Sequence, residues 1–184
     1  MNQVPLFDIP FYQETVHNWQ DIKAEFLSKI DWEEEECEVE PGTYSDYFKY
    51  YRRGDVPDYF WGLMDVLKTP LEKFSIRYPG AHVENAWCQR YSHSACHPAH
   101  NHGALGFSAV FYAQLTEDSS PTSFFSPVQD PWSGMIANTM PDAREGDIIF
   151  FPSYLIHQSL PHYGKRDKII FSFNLARSSE QITL

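Results

Sequence analysis

From residue 83 onward the chain is a succession of short aromatic and β-branched segments: "VENAWCQRY", "LGFSAVFYAQL", "TSFFS", "GMIANTM", "GDIIFFPS" and "KIIFSFNLA". Turn residues separate them, and each is the length of a strand rather than of a helix. Side chains branched at Cβ, or aromatic, pack well on a pleated surface, which is why such segments pair. The succession predicts two antiparallel sheets closing on an interior, a jelly roll or β-sandwich. Aromatic residues at 16% of the chain, with 13 prolines and 9 glycines, agree with a turn-rich, sheet-rich fold.

The first 80 residues read differently. In "NWQDIKAEFLSKI", residues 18–30, Trp19, Ile22, Phe26 and Ile30 fall at helical spacing and Asn18 stands where a cap belongs. A short strand is expected before it around "VPLFDIPF". Residues 56–77, "VPDYFWGLMDVLKTPLEKFSIR", predict helix with a break near Pro70, since proline lacks a backbone donor and restricts the residue before it. The fold class is therefore mainly β (α+β): helical support over 1–80 and a core over 82–176. At 184 residues, one domain is the expectation for 1–184.

Cys37, Cys88 and Cys96 are odd in number and irregularly spaced, against a disulfide framework and for a reducing compartment. No basic-then-apolar leader opens the sequence and no run approaches ~20 apolar residues, so a cytoplasmic protein without membrane contact is expected. A formal charge of −11, with the run "DWEEEECEVE" at 31–40, opposes binding to a polyphosphate backbone. Nucleic acid is thereby disfavoured as a partner, and the acidic run reads as a solvated surface. Oligomeric state is not legible.

Chemistry concentrates in "HSACHPAHNHG", residues 93–103. Residues two apart in an extended segment share a side, so His100 and His102 can face one point. His157, in "FFPSYLIHQSLP", lies at the end of another strand and supplies a third imidazole. Three neutral imidazoles suit iron, zinc, copper or nickel and leave coordination positions open, which favours catalysis over a closed structural site. Cys88 and Cys96 lack the paired spacing of structural zinc. His93 and His97 are weaker candidates, His97 lying three residues before His100.

Two longer stretches, "HNHGALGFSAVFYAQL" and "REGDIIFFPSYLIHQSLPHYGKRDKIIFSFNLA", give these residues a context. Their order resembles the Fe(II)/2-oxoglutarate-dependent oxygenase superfamily, in particular its prolyl-4-hydroxylase-like branch. There an HxD or HxH precedes one strand, a "GDLxxFPSxxxH" element follows, and a basic residue opens an "ISFN"-like strand. The resemblance spans about residues 82–176. It implies a double-stranded β-helix binding Fe(II), with 2-oxoglutarate and dioxygen as co-substrates. It also implies His100, His102 and His157 as iron ligands and as the catalytic set, and hydroxylation of a peptidyl (prolyl-like) or small-molecule substrate with succinate as co-product.

One departure is evident: His102 stands where most members carry Asp or Glu, and no acidic residue lies between Glu84 and Glu117. The co-substrate's distal carboxylate needs a cation, because a buried unpaired carboxylate is heavily penalised. Arg166 and Lys168 share a strand face with Ser172 and Asn174, opposite Ile169, Phe171, Phe173 and Leu175. The resemblance prefers Lys168, with Arg166 second. It also implies Tyr112 as a donor to that carboxylate and Tyr91 as a second pocket tyrosine.

Two alternatives stand beside this reading. Starting the motif at His102 gives "HGA", with Ala104 in the carboxylate position, as in iron halogenases. A noncatalytic metal- or sugar-binding jelly roll is the other. Of the remaining residues, His162 is expected in a surface turn, Cys96 buried, Trp87, Phe107 and Phe111 in the core, and "PVQDPWSG" at 127–134 as a loop over a cavity mouth.

Overall fold

The computed structural model describes residues 8–30, 32, 35–36, 40–51 and 55–178. Eleven strands are seen among them. In chain order they are β1 (Tyr12–Thr15), β2 (Glu35–Glu36), β3 (Thr43–Ser45), β4 (Ala81–Tyr91), β5 (His97–His100), β6 (Phe107–Gln114), β7 (Thr122–Gln129), β8 (Ile136–Thr139), β9 (Asp147–Pro152), β10 (His157–Ser159) and β11 (Lys168–Arg177). The helices are α1 (Trp19–Ser28), α2 (Tyr47–Tyr51), α3 (Phe60–Val66) and α4 (Lys68–Arg77). A seven-stranded sheet runs β1-β9-β6-β11-β4-β3-β2 and a four-stranded sheet runs β5-β10-β7-β8, the paired strands antiparallel. This is the mainly β jelly roll that the segment pattern predicts.

Side-chain alternation on β11 divides the interior. Phe171 and Phe173 join Phe111, Phe150, Leu63, Leu67 and Phe74 in a core between the large sheet and the helices. Trp19 anchors α1 there, its ring 4.9 Å from that of Phe111 and its Nε1 donating to the Ala113 carbonyl at 2.9 Å. Burying each such aromatic is worth about 1.5–3 kcal/mol. The opposite face carries Ile170, Ser172 and Asn174 toward the small sheet, where Tyr91, Val110, Phe124 and Phe151 form a second cluster around one side of a cavity.

Several expectations shift. The first strand is Tyr12–Thr15, after the predicted segment, whose residues 4–7 lie outside the described residues. Asn18 occupies the cap position of α1 but makes no side-chain cap bond. The break in the 56–77 helical segment falls at Leu67, and Pro70 sits in the first turn of α4, where a backbone N–H has no helical acceptor to lose. "PVQDPWSG" belongs to the β7–β8 hairpin, and none of its residues lines the cavity. Of the acidic run, Trp32, the backbone of β2 and Glu40 are described; Cys37 is outside the described residues. No described helix is long and apolar enough to cross a membrane.

Candidate metal centre

After β9 the chain turns through Ser153–Ile156 and returns as β10, which pairs with β5 so that His157 lies directly opposite His100. His157 thus opens a short strand of its own rather than ending the preceding one. His102 follows β5, tied by its backbone N–H to the Ser153 carbonyl at 2.9 Å. These pairings converge the rings: one nitrogen from each of His100, His102 and His157 lies within 4.8 Å of the others.

The tautomers follow from the neighbours. His157 Nδ1 meets the Leu155 carbonyl at 2.9 Å and His100 Nδ1 meets the Pro98 carbonyl at 2.8 Å; a carbonyl only accepts, so both Nδ1 atoms carry the proton. His102 Nδ1 donates to Asn174 Oδ1 at 2.7 Å. Each ring is left with Nε2 as its lone-pair donor, and the Nε2 atoms of His100 and His102 are 3.3 Å apart. That spacing fits two nitrogens sharing an ion at ~2.1 Å each. Burial drives the rings toward the neutral, ligating form, lowering His157 to about 3 and His100 to about 4, with His102 lowered for the same reason. The triad fits an iron site.

The triad opens on a cavity of about 970 Å³. Beside it stands Lys168, 1% exposed, whose Nζ donates to Ser159 Oγ at 2.9 Å and to the Ser120 carbonyl at 2.8 Å. Among the described residues it has no carboxylate in ion-pair range, and burial lowers its ammonium to about 7. Tyr91 and Ser159, both cavity-lining, flank it: the Tyr91 ring centre is 5.4 Å from Nζ, and the Tyr91 hydroxyl is hydrogen-bonded to Ser159.

Other candidates are placed elsewhere. Arg166 is exposed, and its contribution is a carbonyl that accepts from His162 Nε2 at 2.8 Å; the strand begins only at Lys168, so the alternation expected for Arg166 does not extend to it. Tyr112 is fully buried outside the cavity wall, donating its hydroxyl proton to Thr122 Oγ1 at 2.9 Å and accepting from Thr122 N–H. His162 is buried rather than in an exposed turn, its Nδ1 bonded to Ser119 Oγ at 3.2 Å. Cys96 is exposed. Phe111 is buried in the helical-side core and Phe107 packs against it, while Trp87, though buried, faces the cavity with its ring centre 5.5 Å from that of His102.

The sequence pattern missed two partners. Asn174, which orients His102, was legible as a polar residue on the inner face of β11, but nothing local named its partner. His97 lies beside His100, ring centres 4.2 Å apart, and its Nδ1 is bound by Glu40, a carboxylate from the acidic run that reaches the cavity wall. Ala104 is exposed and lines no part of the cavity.

Residues 85–174 match the family model "Putative 2OG-Fe(II) oxygenase". No curated protein matches the chain. Among solved structures, a prolyl-4-hydroxylase of Pseudomonas putida is 14% identical, with a TM-score of 0.58 over 92% of this chain and 94% of that one. HygX from Streptomyces hygroscopicus, solved with nickel, 2-oxoglutarate and hygromycin B, is 12% identical, with a TM-score of 0.61 over 93% and 84%. The non-heme alpha ketoglutarate dependent epimerase SnoN from nogalamycin biosynthesis is 10% identical, with a TM-score of 0.62 over 92% and 77%. These likenesses establish a shared fold, and within it residues 85–174, which enclose the imidazole triad, carry the 2OG-Fe(II) oxygenase pattern.

Proposed function

We propose that this protein is an Fe(II)- and 2-oxoglutarate-dependent dioxygenase that hydroxylates a small-molecule or peptidyl substrate. The supporting observation is the pairing of three inward-facing Nε2 atoms with a buried lysine, unpaired with any described carboxylate, that lies behind the cavity wall, bonded to the lining residue Ser159. His100, His102 and His157 would hold the iron. With 2-oxoglutarate and dioxygen, the bound iron would supply oxidising chemistry that converts a substrate C–H to C–OH while 2-oxoglutarate leaves as succinate and carbon dioxide.

The chain's own part is positional. Pro98, Leu155 and Asn174 hold the three rings by their Nδ1 protons, so each Nε2 is aimed before any ion arrives. Lys168 offers an ammonium to the far carboxylate of the co-substrate, with Ser159 and Tyr91 beside it as polar partners. Val110 and Ile170 on the cavity wall limit water around the reacting groups.

Anaerobic addition of Fe(II) and 2-oxoglutarate is expected to produce a metal-to-ligand charge-transfer absorption, and admission of air to yield succinate. A metallated protein that shows neither overturns the proposal and leaves a noncatalytic metal-binding jelly roll. The halogenase register gains no support, since it leaves His100 without a role and depends on Ala104, which is outside the cavity.

A further inference from the structure

The register between β4 and β11 breaks once: Asn174 pairs with Asn85 and Leu175 with Val83, so Glu84 is an extra residue on β4. Consecutive strand residues ordinarily point to opposite faces, yet Glu84 and Asn85 both line the cavity, because the bulge re-aims one of them. Asn85 Oδ1 is buried without a hydrogen-bond partner. A buried polar atom left unpaired costs stability, and one at a cavity wall is an acceptor awaiting a donor. Asn85 is the cross-strand neighbour of Asn174, which holds His102, so a group seated against it lies next to the triad.

The surroundings specify the donor's charge. Tyr47 from α2 packs against Trp87 and Phe48 with ring centres 5.0 and 5.1 Å apart, and all three aromatics line the same cavity. Aromatic faces attract cations. Glu84 and Glu40 are the acidic side chains of the lining, Glu40 being engaged by His97, and no lysine or arginine is among the described lining residues. A cavity near the upper size for drug-like ligands suits a small molecule.

We infer that the Glu84–Asn85 bulge and the Tyr47–Phe48–Trp87 aromatic arc form a prime-substrate subsite for the protonated amine of a small molecule. The inference rests on the oxygenase reading above. Glu84 supplies the counter-charge, Asn85 Oδ1 accepts an ammonium N–H, and the aromatics cover the apolar part of the ligand.

The test is anaerobic titration calorimetry of the protein loaded with Fe(II) and 2-oxoglutarate, using two matched sets. One is glucosamine, glucose and glucuronate; the other is cadaverine, 1,5-pentanediol and glutarate. In at least one set the amine is expected to bind roughly tenfold or more tightly than its neutral and acidic counterparts, as a charge-assisted contact requires. Glu84→Gln, which keeps the shape, weakens that amine about tenfold, and Asn85→Asp, which keeps the acceptor and adds charge, tightens it. Amines that bind no better than their counterparts in both sets, or an amine indifferent to Glu84→Gln, overturn the inference. The charge-transfer band, recorded before titration, and succinate formation once air is admitted afterwards separate the two readings: absence of both refutes the oxygenase proposal, while amine selectivity remains measurable on the same sample.

Discussion

Asn174 on β11 and His102 after β5 are joined by a 2.7 Å hydrogen bond from the ring Nδ1 to the amide oxygen. Ser108 Oγ donates to that same oxygen at 3.4 Å and meets Ser153 Oγ at 3.0 Å, so the acceptor is itself held. Removing such an outer partner typically lowers metal affinity 10–100-fold. Asn174→Ala is expected to fall in that range by Fe(II) or Co(II) titration with the far-ultraviolet spectrum unchanged, whereas His157→Ala removes tight binding altogether.

On the proposed reading, Lys168 makes co-substrate binding sensitive to pH. Burial lowers its ammonium to about 7, so above that pH the lysine is increasingly neutral and must take up a proton to receive a carboxylate. 2-Oxoglutarate affinity should therefore decline as pH rises through about 7. Lys168→Met should weaken 2-oxoglutarate roughly 10–100-fold, the value of a charge-assisted hydrogen bond. Arg166→Ala, at an exposed side chain, should leave it unchanged. Calorimetric titrations at several pH values check both.

Without ligand, the same lysine affects stability in the opposite sense. Between about 7 and the ordinary 10.5 the unfolded chain holds a proton that the folded chain does not, so unfolding free energy rises with pH across that window. Lys168→Met removes the cost of burying the charge and is expected to raise the melting temperature of the metal-free protein at pH 6 more than at pH 9.

The imidazoles set an acid limit. Their folded values, about 3 for His157 and about 4 for His100, lie below the ordinary 6.5, so the stability they lend is present above 6.5 and drains away as pH falls toward 4. Urea titrations of metal-free protein at pH 7 and pH 5 should show a lower midpoint at pH 5. A bound divalent ion, competing with protons for the same lone pairs, should shift that loss to lower pH.

Gly106 precedes β6 with φ of +83°, and a Cβ there would stand 2.5 Å from the Leu175 carbonyl oxygen. Both backbone conformation and contact exclude a side chain, so Gly106→Ala is expected to cost at least ~1–3 kcal/mol in denaturant unfolding.

Strand and core were legible because period-two alternation is a local property: the inner and outer faces of β11 follow directly from "KIIFSFNLA". The imidazole triad was legible for a different reason, since two of its members lie two apart in sequence and the third follows a recognisable strand and turn. Contacts set by distant segments were not. Burial of His162 depends on Ser119 and on the Ala95 and Arg166 carbonyls, the placement of Glu40 depends on the path of the acidic run, and the loss of Tyr112 from the cavity depends on Thr122 across the interior. Arg166 failed for a simpler reason: alternation says where a side chain points only within a strand, and β11 starts two residues later.

The histidine at position 102 has an electrostatic consequence. On the proposed reading, three uncharged ligands would cancel none of a divalent ion's charge, so a dianionic chelator there would restore electroneutrality, where a carboxylate-bearing triad would leave a surplus negative charge. Ion and dianion should accordingly hold each other: by thermodynamic linkage, 2-oxoglutarate should tighten binding of the metal by the same free energy with which the metal tightens binding of 2-oxoglutarate.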